Sequence, residues 1–197
     1  MDKMPLQEDI EKKQQEQDAE NLYENFYNRK RTLEDTQSEN PSDVIDRTYS
    51  PQELQDKLGI RTLWSDAPFV RGFNYEKLKG ANIGGNFPVI DDFRGDTGKA
   101  TSYKTLDLSN ETYSENPDKP QNLSSLENKL KDYTDRLESF NGRTWDGVEV
   151  PEGAIKEKVL CVGIPRGEAT EGQMAVLESC KKYALSKNVN LIFEEVS

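Results

Sequence analysis

The chain contains no histidine. That removes histidine-bearing zinc sites, Ser-His-Asp triads, Cys-His pairs and every imidazole general base. Any catalysis must use carboxylates, lysine, hydroxyls or a metal ion. Cysteine is almost absent too. Cys161 falls in the apolar run VLCVGI and Cys180 in a helical segment, so both read as buried small hydrophobes rather than a disulfide. No run of about 18 apolar residues occurs, which leaves no transmembrane helix. The start, MDKMPLQEDIEKKQQEQ, lacks the apolar core of a signal peptide. A chain that leaves its cell would then need another route or a larger carrier.

Apolar residues are scarce as well. Of 197 residues, 33% are hydrophobic and 32% charged, and mean hydropathy is −0.91. One ordinary domain plus a polar extension fits those values, with part of the chain extended or disordered. Net charge is −11, which disfavours broad phosphate binding. The charge is uneven, however. Residues 1–50 hold 13 acids and 7 bases, so −6 lies there. From Arg61 to Lys104, 7 bases face 5 acids, giving +2. A local basic patch on an acidic protein is therefore expected.

The pattern divides the chain into a polar extension or linker over 1–48 and a domain over 49–197. Within the extension, Tyr23, Phe26 and Tyr27 have helical spacing, which predicts a helix from about Glu8 to Leu33 with a narrow apolar stripe. Ser50-Pro51-Gln52-Glu53 is a capping-box start for a short helix ending at Gly59. Phe73–Lys79 reads as another short helix, stopped by Gly80. Phe87–Asp91 and Ala100–Leu106 read as two strands joined by the turn RGDTG. Asn110–Asn122 is a polar loop. Leu126, Leu130, Tyr133, Leu137 and Phe140 mark a helix over Leu123–Phe140. Lys158–Pro165 reads as a strand buried on both faces. Thr170–Lys187 is a helix capped by Thr170, and Val189–Val196 is the last strand. The order implies an α/β fold, a mixed central sheet flanked by helices.

The hairpin carries the chemistry. Ser102 and Lys104, two apart on a strand, point the same way. A short hairpin pairs residues whose numbers sum to about 193 and sets Asp91 beside Ser102; a one-residue slip would favour Asp92. The preceding helix brings Glu76 toward the same end. Glu76 and Asp91 together suit a hard or borderline divalent cation, with Lys104 free to stabilise charge on a phosphate. The plainer reading of the same residues is an ordinary strand hairpin, with Asp91-Asp92 opening a turn and Lys104 exposed.

The segments GGNFPVIDDF, ATSYKTLDL, LENKLKDYTDRLESFNG, KVLCVGIP and EGQMAVLESCKKYALSKNVNLIFEEV follow in that order. Together they resemble the endonuclease toxin domains at the C-terminus of contact-dependent growth inhibition (CDI) proteins and related polymorphic toxins, which have the PD-(D/E)xK, restriction-endonuclease-like fold. The likeness spans about residues 70–197. It implies a metal-dependent endonuclease, expected to cut DNA, that uses Mg²⁺, Mn²⁺ or Zn²⁺. It makes Asp91 the metal-binding acid and Lys104 the motif lysine. Ser102 stands where that superfamily carries a second Asp or Glu, so Glu76 becomes the expected substitute ligand, with Gln173 either facing the site or simply exposed in the first turn of its helix. The resemblance further implies a cognate immunity protein and delivery into a target cell. Two alternatives remain: an acidic, non-enzymatic interaction or immunity-like protein, and an RNase on the same fold.

Overall fold

The computed structural model describes residues 44–197, so the helix expected over 8–33 lies outside the described residues. The domain is built on a five-stranded sheet. Its strands are β1 (Arg47–Tyr49), β2 (Asp92–Arg94), β3 (Lys99–Thr105), β6 (Glu157–Pro165) and β7 (Val189–Val196). They lie in the order β1-β7-β6-β3-β2. Only β2 runs antiparallel to its neighbour. The four helices among the described residues are α1 (Pro51–Leu58), α2 (Pro68–Lys79), α3 (Gln121–Ser139) and α4 (Glu171–Ser186). A separate hairpin joins β4 (Arg143–Trp145) to β5 (Val148–Val150). The mixed sheet with flanking helices agrees with the expectation from sequence. Among the described residues no helix is long and apolar enough to cross a membrane.

Alternation along the central strands explains the layers. Leu160, Val162 and Ile164 of β6, with Leu191 and Phe193 of β7, pack in one cluster with Leu126, Leu130 and Leu137 of α3 and Leu177, Cys180 and Ala184 of α4. The opposite parity, Tyr103, Cys161 and Val196, packs with Leu54 of α1 and Tyr75 and Leu78 of α2. Strand β6 is thus buried on both faces, as its continuous apolar run predicts. Both cysteines are free and buried.

Two helix starts are set by their caps. Ser50 Oγ accepts from Glu53 N while Glu53 answers the Ser50 N–H. Thr170 and Gln173 repeat the arrangement on α4. Each cap is worth on the order of 1 kcal/mol. Gly59 and Gly80 end α1 and α2 in the left-handed region, which a glycine enters without a Cβ penalty.

Three expectations need correction. The strand expected over Phe87–Asp91 does not form; β2 starts at Asp92. Phe87 and Ile90 satisfy their N–H groups in tight local turns, Phe87 N to Gly84 O and Ile90 N to Pro88 O. Pro88 has no N–H to give a ladder, and Val89 takes φ +74°, incompatible with a strand. Second, α2 starts at Pro68, five residues before the expected Phe73, because a proline suits the first helical turn. Third, the helix expected over Leu123–Phe140 runs from Gln121 to Ser139; Phe140, already extended, is its C-cap.

Candidate active site

Strands β2 and β3 pair Asp92 with Thr101 and Phe93 with Ala100. These are the pairs whose numbers sum to 193, so the expected register holds although the first strand is displaced. Just before β2, Asp91 N still donates to Thr101 O at 2.9 Å. The ladder then stops, and the Asp91 side chain takes it over. Its Oδ2 accepts from the Tyr103 N–H at 2.6 Å. Lys104 Nζ lies 3.2 Å from the same oxygen, and Ser102 Oγ approaches it at 3.5 Å. Lys104 also donates to Tyr103 O at 2.9 Å. The acid and the lysine therefore meet where β2 peels away from β3. The fork is largely buried, with Lys104 its most exposed side chain at 30%.

All three donors converge on Oδ2. Among the described residues none reaches Asp91 Oδ1, yet the side chain keeps 13% of its surface exposed. Burial raises the Asp91 pKa, opposed by Lys104, the Tyr103 N–H and Ser102. Glu76 is raised first by burial and next by the Asp91 charge, with Lys104 opposing. The two carboxylates thus repel one another across the fork and leave a cation only partly supplied by Lys104. Asp92 is excluded from this centre. It is buried, and the Arg94 guanidinium spans its carboxylate at 3.0 Å on each oxygen.

The donor set fits a hard divalent cation. Asp91 offers a free, half-hidden oxygen, and Glu76 adds a second carboxylate within electrostatic reach. No group of three or more His, Cys, Asp or Glu side chains converges among the described residues. The remaining ligands would have to be water, main-chain carbonyl or phosphate oxygens, as is usual for Mg²⁺.

Helix α2 is held firmly around Glu76. Tyr75 donates to Glu194 Oε2 at 2.7 Å, and Lys79 Nζ pairs with Glu194 Oε1 at 2.6 Å. The Tyr75 ring lies over Gly163, where an added Cβ would meet ring atoms at 3.0 and 3.1 Å. Beyond Gly80, the Asn82 amide clamps both main-chain groups of Phe93 at 2.8 and 2.9 Å. Ile83 N donates to Asp91 O. A short connection therefore ties the Glu76 helix to the backbone that carries Asp91. Sequence reasoning missed Tyr75, Lys79 and Asn82. The only sequence signal was the placement of Tyr75 and Lys79 one residue before and three after Glu76.

Gln173 is neither exposed nor a member of this centre. It is 1% exposed, and its amide donates to Leu108 O and Tyr113 O, each at 2.9 Å. Those bonds fasten the polar loop after β3 to the start of α4, a structural use of a buried amide.

A family model described as the CDI toxin restriction endonuclease-like domain matches residues 71–194. The match contains Glu76, Asp91, Ser102 and Lys104. Among solved structures, a chain of the CdiA-CT/CdiI toxin and immunity complex from Yersinia pseudotuberculosis superposes with a TM-score of 0.54 and 22% sequence identity. The alignment covers 62% of this chain and 98% of that one. At that identity it speaks for the fold. No curated protein matches the sequence.

Proposed function

The chain belongs to the family of CDI toxin restriction endonuclease-like domains, and from that premise we propose that it is a metal-dependent nuclease that hydrolyses phosphodiester bonds in DNA. The observation that carries the proposal is the convergence of Tyr103 N–H, Lys104 and Ser102 on one oxygen of Asp91, with the Glu76 carboxylate within electrostatic reach. Asp91 and Glu76 would hold the divalent cation. Such an ion supplies Lewis acidity and a water of lowered pKa.

The chain's own groups divide the remaining work. The Tyr103 N–H and Ser102 fix the Asp91 carboxylate, so its open oxygen does not rotate away. Lys104, 30% exposed, presents an ammonium to a phosphate and opposes the charge that builds on it. Ser102 is 3% exposed. It orients Asp91 rather than meeting substrate, and Glu76 supplies the carboxylate that the Ser102 position lacks. With no histidine in the chain, proton transfer falls to water and these groups.

The solved neighbour is a chain of a toxin and immunity complex, which supports a cognate immunity protein as partner of this chain. Delivery into a target cell follows from the same reading. The substrate is tested by incubating the purified chain with plasmid DNA and, separately, with tRNA, each with Mg²⁺, Mn²⁺ or Zn²⁺. Nicking or linearisation of the plasmid with intact tRNA is the expected result. Degraded tRNA beside intact plasmid would make the enzyme an RNase and overturn the DNA assignment.

A further inference from the structure

Helix α2 presents large apolar side chains to solvent. Phe69 is 84% exposed, Phe73 57% and Val70 45%. The helical repeat sets Phe69, Phe73 and Lys77 on one stripe at successive four-residue steps, with Glu76 three residues after Phe73. The opposite side of the helix is the packed one, where Arg71, Tyr75 and Leu78 are buried. The stripe is therefore not surplus core. It leads along the helix surface directly to a carboxylate of the proposed centre.

Its charge differs from that of the rest of the molecule. The whole chain is −11, whereas on α2 Arg71 and Lys79 are paired inward with Asp107 and Glu194, and the exposed face keeps the cation Lys77 beside the single acid Glu76. No acid stands in its first turn. An aromatic surface with a cation beside it, running into a site for phosphodiester chemistry, matches a partner that has flat apolar faces on an anionic backbone. Nucleic acid has both, and bases stack on aromatic rings wherever they are unpaired.

We propose that Phe69 and Phe73 form a stacking platform for unpaired bases of the nucleic acid, flanking the phosphate held at Asp91, Glu76 and Lys104. This rests on the nuclease reading above. The platform would position substrate without taking part in bond cleavage. It would favour sites where the duplex is already open or easily opened, because unstacking is then cheapest.

The test uses the whole chain with fluorescently labelled DNA, either fully paired or carrying an internal unpaired stretch. Binding is read by anisotropy with chelator present, and cleavage with Mg²⁺, Mn²⁺ or Zn²⁺. Both rings are exposed, so the variants should fold, which circular dichroism verifies. F69A/F73A should bind the unpaired substrate about tenfold or more weakly, raising KM with little change in kcat. F69L/F73L, apolar but without rings, should be equally weak, and F69W/F73W should bind like the parent. Unchanged affinity in F69A/F73A, while the parent binds DNA, would overturn the platform and leave the nuclease reading standing. So would full retention of binding in F69L/F73L, or a loss confined to immunity-protein binding. A parent chain that neither binds nor cuts nucleic acid would overturn both.

Discussion

The main-chain N–H of Tyr103 donates to Asp91 Oδ2 at 2.6 Å, so an acid side chain occupies the place of a strand carbonyl. That one bond ends the pairing of β2 with β3 and aims the carboxylate into the fork. Lys104, the next residue, reaches the same oxygen. Placement and charge of the centre therefore share a cause.

Asp91 should cost stability in exchange for its role. Burial raises its pKa above the ordinary 3.8 despite Lys104, Tyr103 and Ser102. Between those two values the native chain keeps a proton that the unfolded chain has lost. Stability from this group is then fullest below 3.8 and declines as pH rises through the native pKa. D91N, which still accepts from the Tyr103 N–H, should melt at or above the parent at neutral pH, and the gap should close in acid. Divalent cation should raise the parent's Tm and leave that of D91N unmoved. Thermal melts across pH check both; a D91N that melts far below the parent at neutral pH contradicts the account.

Activity should fail on the acid side earlier than ordinary carboxylates would dictate. Glu76 and Asp91 both have raised pKa values, and each must lose its proton to hold a cation. Initial rates against pH should show an acid limb above the ordinary carboxylate range, shifting to lower pH as cation concentration increases.

The Lys79–Glu194 pair lies beneath α2 with only 16% and 5% of the two side chains exposed. K79M leaves a buried carboxylate unpaired and should cost about 3 kcal/mol. K79M/E194Q should recover most of that loss, since the charge goes with its partner. Urea denaturation of both variants measures the difference.

Gly163 leaves room for the Tyr75 ring. G163A sets a Cβ about 3 Å from that ring, so α2 or the side chain must move. A loss of roughly 1–3 kcal/mol is expected, together with weaker divalent-cation binding by calorimetry because Glu76 moves with its helix. Cation affinity equal to the parent's would separate α2 from the site.

Both thiols should be inert in the folded chain. Burial, with Glu194 adding to it, pushes Cys161 up to about 12. Burial likewise pushes Cys180 up to about 11, with the Glu127 charge acting the same way. Neither should react with iodoacetamide at mildly alkaline pH, and both should react in denaturant.

Much of this centre was legible in the sequence because its parts are local. The RGDTG turn fixed the register, and register alone put Asp91 opposite Ser102. The capping boxes at Ser50 and Thr170 were equally readable, since each lies within four residues. What escaped was set by distant contacts. Strand β1 exists only by pairing with β7, and no local pattern announces three residues of edge strand. The β4–β5 hairpin does carry a local signal, Asp146-Gly147 with both φ values positive. Val89 in the left-handed region could not be foreseen, because a β-branched residue disfavours it. Gln173 reads as a surface amide until the loop it fastens is folded over it.

The most direct measurement is plasmid cleavage by the parent chain, D91A, K104A and E76A, with divalent cation and with excess chelator. The account predicts cutting by the parent that chelator abolishes. It predicts a loss on the order of a hundredfold or more in D91A and K104A, and a clear loss in E76A, with all three variants folded. Cleavage that survives chelator or the loss of Asp91, or a folded parent inert with Mg²⁺, Mn²⁺ and Zn²⁺ alike, would contradict it.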